Sequence, residues 1–450
     1  MTPRRRELLA GLSTAAFAGC LAPDGNESPT GSDGTRLTPG TGGSASFPED
    51  VGPGEVGYTH LRADGNRVVG GSGTIPASTP IDRQVPGTPA WLVGIPAAGP
   101  SDTPGTRTPV STALAVVRDD GSTHTLSLRG DDANAGELAA LPADTPPVVY
   151  RGDGTPGVLV PPEQASTSTH PIPVEGGTVF VRPDGTVERR EGSETIATRA
   201  VDALPDARLL LDGDGRIVVL GGATDRYGHG VLGDGIEAST VVRLDPEDLA
   251  IDSRASIPGE AVVEGIAPIL ADISTEDGTE AIVTESDADR GARQVVYGTS
   301  GERLGAGAAI GTGFRWRHAL AVAAFAPDGT RELAVVRTPH IGGTVEFYSF
   351  EAGDPEIVAT LSGYSTHTIG SRNLDGGVAG DFDGDGRIEL LVPTDDRRTL
   401  AGIRRTDDGA REAWRLPIGG DLSTNVLVLR SPEGITVAAG RADGTIRLWR

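Results

Sequence analysis

The sequence predicts an all-β fold, a β-propeller of about seven four-stranded blades that spans residues 53–450. Three observations support this prediction. The 450-residue chain has 65 glycines and 33 prolines but one methionine, a composition typical of turn-rich β proteins. From residue 53 onward, an apolar strand, an acidic-glycine turn and a second apolar strand recur. A second hairpin follows in most units, so each unit predicts a four-stranded antiparallel sheet.

The recurring turns set the number of blades. An acidic residue followed by glycine between apolar runs indicates a hairpin, because glycine adopts the positive φ that the turn requires. Seven such turns mark the units: Asp64-Gly65, Asp153-Gly154, Asp214-Gly215, Asp277-Gly278, Asp328-Gly329, Asp385-Gly386 and Glu433-Gly434. We expect the Pro/Thr/Gly-rich stretch at 71–110 to be an insertion loop, and a strand near 45–58 to close the ring. A β-sandwich or two packed β domains is the alternative.

The N-terminus predicts an export signal with a lipid anchor. Arg5 and Arg6 precede an apolar run that ends at Phe17, which is the twin-arginine arrangement and is too short to span a bilayer. Small residues then lead directly to Cys20, as in a lipobox. Removal of the signal peptide, residues 1–19, would leave Cys20 lipidated, and a two-chain anchor holds a protein stably on the outer face of the membrane. An ordinary signal peptide or a buried helix is the alternative.

A tether follows the anchor. Residues 20–52 are rich in Gly, Ser, Thr, Pro and Asp and have almost no apolar side chains. Such a segment cannot bury enough surface to offset its ordering entropy, so we expect a disordered spacer.

Composition limits the partners. The chain has 39 basic residues, all of them arginine, against 63 acidic ones, and its net charge is −24. A negative field of this size disfavours nucleic acid and anionic lipid as partners. Together with the absence of lysine it is typical of extreme halophiles, although a GC-rich genome also favours arginine. Cys20 is the only cysteine, so no internal disulfide is possible. We expect a monomer.

One turn carries the ligands of a calcium site. Carboxylates stand at positions 1, 3, 5 and 9 of the stretch 381–389: Asp381, Asp383, Asp385 and Glu389. Ca²⁺ takes six to eight oxygens, and the carbonyl of Arg387 would add one more. Val392 at the twelfth position, with a strand rather than a helix after the loop, excludes an EF-hand. A solvated acidic turn is the alternative.

These residues resemble the FG-GAP/VCBS repeats, the propeller repeats of integrin α-subunits and of many exported microbial proteins. The hallmark of that family is D-x-D-G-D-G-x-x-D/E in the first hairpin of a blade. The resemblance implies one Ca²⁺ that stiffens the blade. The turn at 210–218 keeps Asp212 and Asp214 but has Leu210 and Val218 at the outer positions, so it departs from the motif.

No common catalytic signature is present: the sequence has no G-x-S-x-G elbow, H-E-x-x-H helix or P-loop. A group of histidines is the better candidate site. Chain direction in a propeller places the segments before each first strand and after each second strand at the same end of the ring, here called the top face. This reasoning assigns five residues to the top face: His318, His340, His367, Arg372 and Asn373. Separate loop residues with local hydrogen bonds are the alternative.

The predicted function is a cell-surface binding or scaffold module for a saccharide or an envelope protein. Relatives with FG-GAP/VCBS repeats are mostly of this kind, which is an analogy at the level of the fold. An extracellular enzyme such as a polysaccharide lyase, with the His/Arg cluster as its acid/base apparatus, is the alternative. The sequence favours binding over catalysis.

Overall fold

The structure is a computed structural model that describes residues 55–97, 109–128, 136–152, 154–274, 278–351, 353–431 and 433–450. These residues all belong to one compact unit, 45–450. The signal peptide, the tether and Cys20 lie outside the described residues, as do Asp153 and Asp277. The described part contains a 3₁₀ turn at Ile75–Ala77 and no α-helix, and therefore no helix able to span a membrane.

The described residues form thirty-three strands. The first seventeen are β1 (Val56–Tyr58), β2 (Val68–Ser72), β3 (Ile81–Gln84), β4 (Pro89–Pro96), β5 (Ser111–Arg118), β6 (Thr123–Ser127), β7 (Glu137–Leu138), β8 (Val148–Gly152), β9 (Thr155–Val158), β10 (Ile172–Val174), β11 (Gly177–Val181), β12 (Thr186–Glu191), β13 (Glu194–Ala200), β14 (Leu210–Leu211), β15 (Ile217–Gly221), β16 (Thr240–Leu244) and β17 (Ile251–Ser256). The others are β18 (Val262–Val263), β19 (Ile269–Ala271), β20 (Glu280–Ser286), β21 (Arg293–Tyr297), β22 (Arg303–Ala306), β23 (Arg317–Ala323), β24 (Glu332–Arg337), β25 (Gly343–Ser349), β26 (Glu356–Tyr364), β27 (Val378–Asp381), β28 (Glu389–Pro393), β29 (Thr399–Thr406), β30 (Gly409–Pro417), β31 (Leu427–Ser431), β32 (Gly434–Gly440) and β33 (Thr445–Trp449).

The strands form eight sheets, which are the blades of a β-propeller. In chain order, blade 1 is β4–β7, blade 2 is β1 with β8 and β9, blade 3 is β10–β13, blade 4 is β14–β17, blade 5 is β18–β22, blade 6 is β23–β26, blade 7 is β2 with β27–β30, and blade 8 is β31–β33 with β3. Strand contacts join blade 1 to blade 2, blade 5 to blade 6, blade 6 to blade 7, blade 7 to blade 8 and blade 8 to blade 1. One hydrophobic cluster spans blades 2 to 5, so the ring is closed.

Burial follows position within a blade. Strand β15 in blade 4 is buried along its whole length because neighbouring blades cover both of its faces. The outer strands β13 and β26 are mostly exposed or half-buried. The continuous apolar runs of the sequence are therefore inner strands, and the alternating segments are rim strands.

The expected number of seven blades is wrong, because the acidic-glycine turns do not map one to one onto blades. Asp64-Gly65 lies between β1 and β2, which belong to different blades, so it is not a hairpin. The stretch 71–110 is not simply an insertion loop, because it contains β3 (Ile81–Gln84) of blade 8 and β4 (Pro89–Pro96), the first strand of blade 1. Blade 3 begins with a turn at Glu175-Gly176, where Gly176 has φ +70°.

The N-terminal strand does not close the ring in the expected way. Strand β1, within the expected 45–58 region, pairs with β8 in blade 2. The strand that completes the last blade is β3, in which Ile81 lies opposite Leu448 of β33. Blades 8 and 1 are also fastened by Asn425, whose side chain bonds both the N–H (2.8 Å) and the carbonyl (2.9 Å) of Leu92.

Residues 56–72 form a central segment that runs along the inner edges of the blades. The segment begins with β1, which belongs to blade 2, and ends with β2, which belongs to blade 7 and is parallel to β27. Between them the Ala63 and Asp64 carbonyls accept hydrogen bonds from Leu211 in blade 4 and Leu270 in blade 5. Asn66 bonds both main-chain groups of Val322 in blade 6. The central segment therefore joins blades that are far apart in the chain.

Candidate functional site

Four loops and the start of strand β23 bring a cluster of aromatic rings together. The loops are the β15–β16, β22–β23, β24–β25 and β26–β27 connections, which chain direction assigns to the top face. The ring cluster consists of Tyr227, His229, Phe314, Trp316, His318, His340 and His367. Three of these are the histidines selected from the sequence, and the structure places them in one continuous group.

The rings contact one another in series. Phe314 stacks on His229, with centroids 5.1 Å apart and planes 15° apart. His229 lies 6.5 Å from His340, which lies 5.9 Å from His367. Trp316 joins the inner end, because it stacks on His318 at 5.0 Å. The series therefore runs from an exposed phenylalanine to a buried histidine.

The outer end of the cluster is apolar and exposed. Phe314 is 54% exposed, and Ile341 and Ile369, which are one and two residues from His340 and His367, are 67% and 63% exposed. These are the most exposed large hydrophobic side chains among the described residues. Apolar side chains exposed in a group typically mark a binding surface. We call the three side chains the apolar patch.

The inner end is enclosed. His318 Nδ1 lies 2.9 Å from the Thr366 hydroxyl and its Nε2 lies 3.3 Å from Arg67. Burial lowers the pKa of His318 well below its ordinary value and that of His367 to about 4. Burial, and then the nearby His229, also lowers the pKa of His340. These three imidazoles are therefore neutral at pH 7.

Carboxyl groups surround the outer half of the cluster. Glu264 is buried, and its carboxylate bonds His229 and Ser286. Burial, together with the nearby Glu264 and Asp206 carboxyl groups, raises the pKa of Glu237 to about 9. Glu237 is therefore protonated at pH 7, which reduces the cost of burying its carboxyl group.

Arg372 and Asn373 lie beside the cluster but are already engaged. The Arg372 guanidinium bonds Asp206 at 2.9 Å and Asp234 at 2.8 Å. The Asn373 side-chain oxygen accepts the N–H of Asp375. Arg372 thus joins the β13–β14 loop to the β15–β16 loop, and the two carboxylates neutralise its charge. This weakens the interpretation of the cluster as an anion-binding acid/base apparatus.

The predicted calcium turn joins β27 and β28. Carboxylate oxygens of Asp381, Asp383 and Asp385 lie within 4.8 Å of one another, close enough to share a cation. Both oxygens of Asp381 accept N–H groups of the turn, from Gly384 and Gly386. The three carboxylates therefore satisfy the first requirement of a calcium site.

A guanidinium already occupies this turn. Arg404 donates to Asp383 and Asp385 at 2.7 Å each, and its Nε lies 3.0 Å from Glu389. Arg387 donates its N–H to Asp385. Among the described contacts, none supports its carbonyl as a metal ligand. The ligand set does not fit Ca²⁺ while Arg404 stays in place, because six to eight oxygens are needed and the arginine engages most of the carboxylates.

The related turn at 212–216 is built in the same way. Asp212 accepts two turn N–H groups and forms an ion pair with Arg243. Arg243 is the cross-strand partner of Val218, as Arg404 is of Glu389. In both blades an arginine on the third strand supplies the positive charge. The sequence could not predict that these arginines contact the turns, because it does not give the register between strands.

Two further groups of functional residues were missed. Phe314 follows a glycine-rich stretch and carries no signal in the sequence except its place in the loop just before His318. The central segment buries Tyr58, His60 and Arg67, although its polar composition is typical of an exposed turn. Cys20, the predicted lipidation site, lies outside the described residues.

Comparisons with known proteins show the fold alone. No protein-family model matches the chain, and no curated protein does. Among solved structures the chain is similar to BamB from Moraxella catarrhalis (TM-score 0.43, 13% identity, 83% of this chain and 97% of that one). It is also similar to the WD40 β-propeller domain of Doa1 (0.41, 9%, 83% and 96%). A third is the quinohemoprotein alcohol dehydrogenase ADHIIG from Pseudomonas putida HK5 (0.51, 9%, 91% and 82%). With its eight sheets, the chain is an eight-bladed β-propeller that has distant neighbours among solved propellers.

Proposed function

We propose that this protein is a lipid-anchored binding propeller that holds another envelope protein against its top face. The observation that carries the proposal is the apolar patch: Phe314, Ile341 and Ile369 project from three loops around one cluster of rings. Aromatic and aliphatic side chains on a rigid scaffold are typical centres of protein interfaces. Saccharides require exposed polar groups, and the polar atoms of this cluster are largely enclosed.

The charge around the patch defines the partner more closely. Arg372 is shared by Asp206 and Asp234, so these three side chains keep one negative charge, and the neutral His340 and His367 do not offset it. A partner with an apolar contact surface and a basic rim fits this face, because like charges across an interface are unfavourable. The chain's net charge of −24 acts in the same direction.

A binding role agrees with the site better than a lyase does. A lyase of the predicted kind needs an accessible cation for its acidic substrate, and Arg372 is held by two carboxylates. His318 is buried and contacts Thr366 and Arg67. The other two imidazoles predicted from the sequence, His340 and His367, are neutral and partly enclosed.

The anchor and the family resemblance complete the proposal. The Arg5-Arg6 pair and the sequence before Cys20 support export and lipidation on the outer face of the membrane. The acidic turn at 381–389 supports kinship with FG-GAP/VCBS repeats, and the absence of lysine supports a high-salt environment.

Cys20→Ser tests the anchor: we expect the protein to leave the membrane fraction or to remain unprocessed. Wild-type protein found wholly in the medium would contradict lipid anchoring.

The binding surface is tested by a matched pair of triple variants. Serine replaces Phe314, Ile341 and Ile369 in one variant. In the control, serine replaces Ile196, Ile251 and Ile357, which are 40%, 40% and 41% exposed on outer strands. Crosslinking in intact cells, followed by identification of the crosslinked protein, should give a defined adduct with the wild type and the control but not with the patch variant.

Two results would refute this surface. One is an adduct that survives in the patch variant. The other is specific binding of wild type to a glycan array that the patch variant loses, which would identify a saccharide as the ligand.

A further inference from the structure

A small cavity lies beneath the ring cluster, beside the central segment. Its volume is about 40 Å³, and its walls include Trp316 and His318 of the cluster and Arg67 and His60 of the central segment. Arg208 lines it from the side of blade 4. A space of this size holds about three water molecules.

Arg67 and Arg208, which line the cavity, are buried together with the carboxylate of Asp375. Arg208 binds Asp375 through two parallel hydrogen bonds, both 2.8 Å long. Arg67 lies 3.8 Å from the same carboxylate and donates to the Leu374 carbonyl at 2.8 Å. The side chains of Arg67, Arg208 and Asp375 are 6%, 3% and 0% exposed. Two guanidinium groups therefore share one carboxylate away from water.

The neighbouring groups do not balance the extra positive charge. Burial favours the uncharged form of Asp375, but Arg208 and Arg67 outweigh it and hold the pKa well below its usual range. Burial and the charge of Arg208 lower the pKa of His60. The same two causes lower the pKa of His170 to about 4, so both imidazoles are neutral. Glu264 also lines the cavity, but its carboxylate bonds His229 and Ser286 rather than either arginine. Arg67, Arg208 and Asp375 together therefore carry one net positive charge.

The hydrogen-bond donors of the group are also in excess. The Nε–H groups of Arg67 and Arg208 are buried and have no acceptor within the described part of the protein. Neither ring nitrogen of His60 has a partner, although the residue is 1% exposed. A neutral imidazole has one N–H, so three donors face the region without an acceptor. Leaving such donors unpaired is costly.

We propose that this cavity binds a small monovalent anion of halide size. A halide accepts hydrogen bonds from several donors at once and supplies the missing negative charge, whereas water would satisfy the donors without balancing the charge. The anion would tie Arg67 of the central segment to Arg208 of blade 4. It would therefore strengthen the ring from its centre, independently of any ligand on the top face.

Thermal unfolding of the full-length protein tests the site. Chloride is titrated against gluconate at constant sodium concentration, so that ionic strength does not change. We expect the melting temperature of the wild type to rise with the logarithm of chloride concentration. Arg67→Gln removes one charge and keeps a donor, and it should at least halve this slope.

Arg317→Gln is the matched control. Arg317 lines the same cavity and is equally buried, but it is paired with Glu346 at 3.0 Å and bonds two carbonyls. It should lower the melting temperature and leave the chloride slope unchanged. A second measurement is anomalous scattering from crystals soaked in bromide, which should show a peak in the cavity next to Arg67 or Arg208.

The outcomes that overturn the proposal are specific. Equal chloride slopes in the wild type and Arg67→Gln would show that chloride acts elsewhere. A cavity that contains only ordered water, in bromide-soaked crystals with bromide at other sites, would show that the donors bind water.

Discussion

Replacing Arg404 by methionine should convert the acidic turn at 381–389 from an arginine-neutralised turn into a calcium-dependent one. Arg404 lies on β29, opposite Glu389, and its guanidinium bonds three carboxylates of the turn. Methionine keeps the apolar stem and removes the charge. The turn would then hold four carboxylates with no cation among them.

The size of the effect follows from burial. The Glu389 side chain is fully buried, whereas those of Asp383 and Asp385 are 24% and 42% exposed and would regain water. Removing one partner of a buried ion pair costs about 3–5 kcal/mol, and the exposed aspartates favour the lower end. We therefore expect a loss of about 3 kcal/mol and a melting temperature lower by several degrees in chelator.

Calcium should restore most of this loss in the variant. Extracellular sites of this type bind with dissociation constants of roughly 10⁻³ M, so roughly 0.1 M Ca²⁺ returns about 2.7 kcal/mol. The assay is thermal unfolding in chelator and in calcium at constant ionic strength. Arg411→Met is the control, because Arg411 is exposed and lies directly opposite Arg404 on β30. It should change little in either buffer.

The wild type should gain much less from calcium than Arg404→Met does. An equal gain in both proteins would refute the reasoning, since it would show that Ca²⁺ binds without displacing Arg404. A variant that is destabilised but gains nothing from calcium would show that the carboxylates cannot form the coordination shell.

Two further predictions concern buried polar side chains. In the folded protein Glu237 stays protonated up to about pH 9. Its contribution to the free energy of unfolding is therefore complete below pH 4.5 and is lost as the pH rises towards 9. Glu237→Gln should therefore raise the melting temperature at pH 8 and flatten its pH dependence by up to about 1.4 kcal/mol per pH unit; an unchanged pH profile would contradict a raised pKa. Asn66→Ala removes both bonds to Val322 and should cost about 2–4 kcal/mol. Asn425→Ala removes the equivalent pair of hydrogen bonds to Leu92 and should lower the free energy of unfolding, measured in urea, by the same amount. A loss below about 1 kcal/mol in either variant would show that water replaces the hydrogen bonds of the asparagine.

The sequence was sufficient for the all-β propeller because its turns carry a local signal. Asp328-Gly329 and Asp385-Gly386 each join the first two strands of a blade, as predicted. Glu175-Gly176 carries the same signal although it is not among the seven predicted turns, and the sequence between β4 and β5 of blade 1 contains no acidic-glycine pair. Asp64-Gly65 has the signal and is not a hairpin. Local chemistry thus identifies a turn, but it does not reveal which strands the turn connects.

The candidate site was predictable only where chain direction decides position. His318, His340 and His367 were grouped because alternating strand direction assigns loops to one end of the ring. Arg404 could not be assigned to the acidic turn, because its role depends on lying opposite Glu389, and register is a property of the paired strands. The burial of Arg67 depends on contacts with blades 6 and 7, more than 250 residues away in the chain.

The pairing of β3 with β33 has a consequence for biosynthesis. Ile81 is made early and must wait for Leu448 in β33, which is synthesised after all the other described strands. The central segment likewise waits for its partners in blades 4 to 7. Contacts so distant in sequence are slow to form, so the nascent chain passes through a long stage in which the ring is open and its N-terminal strands are unpaired. A truncation that removes only Thr445–Trp449 would arrest the chain at this stage, although it deletes one strand.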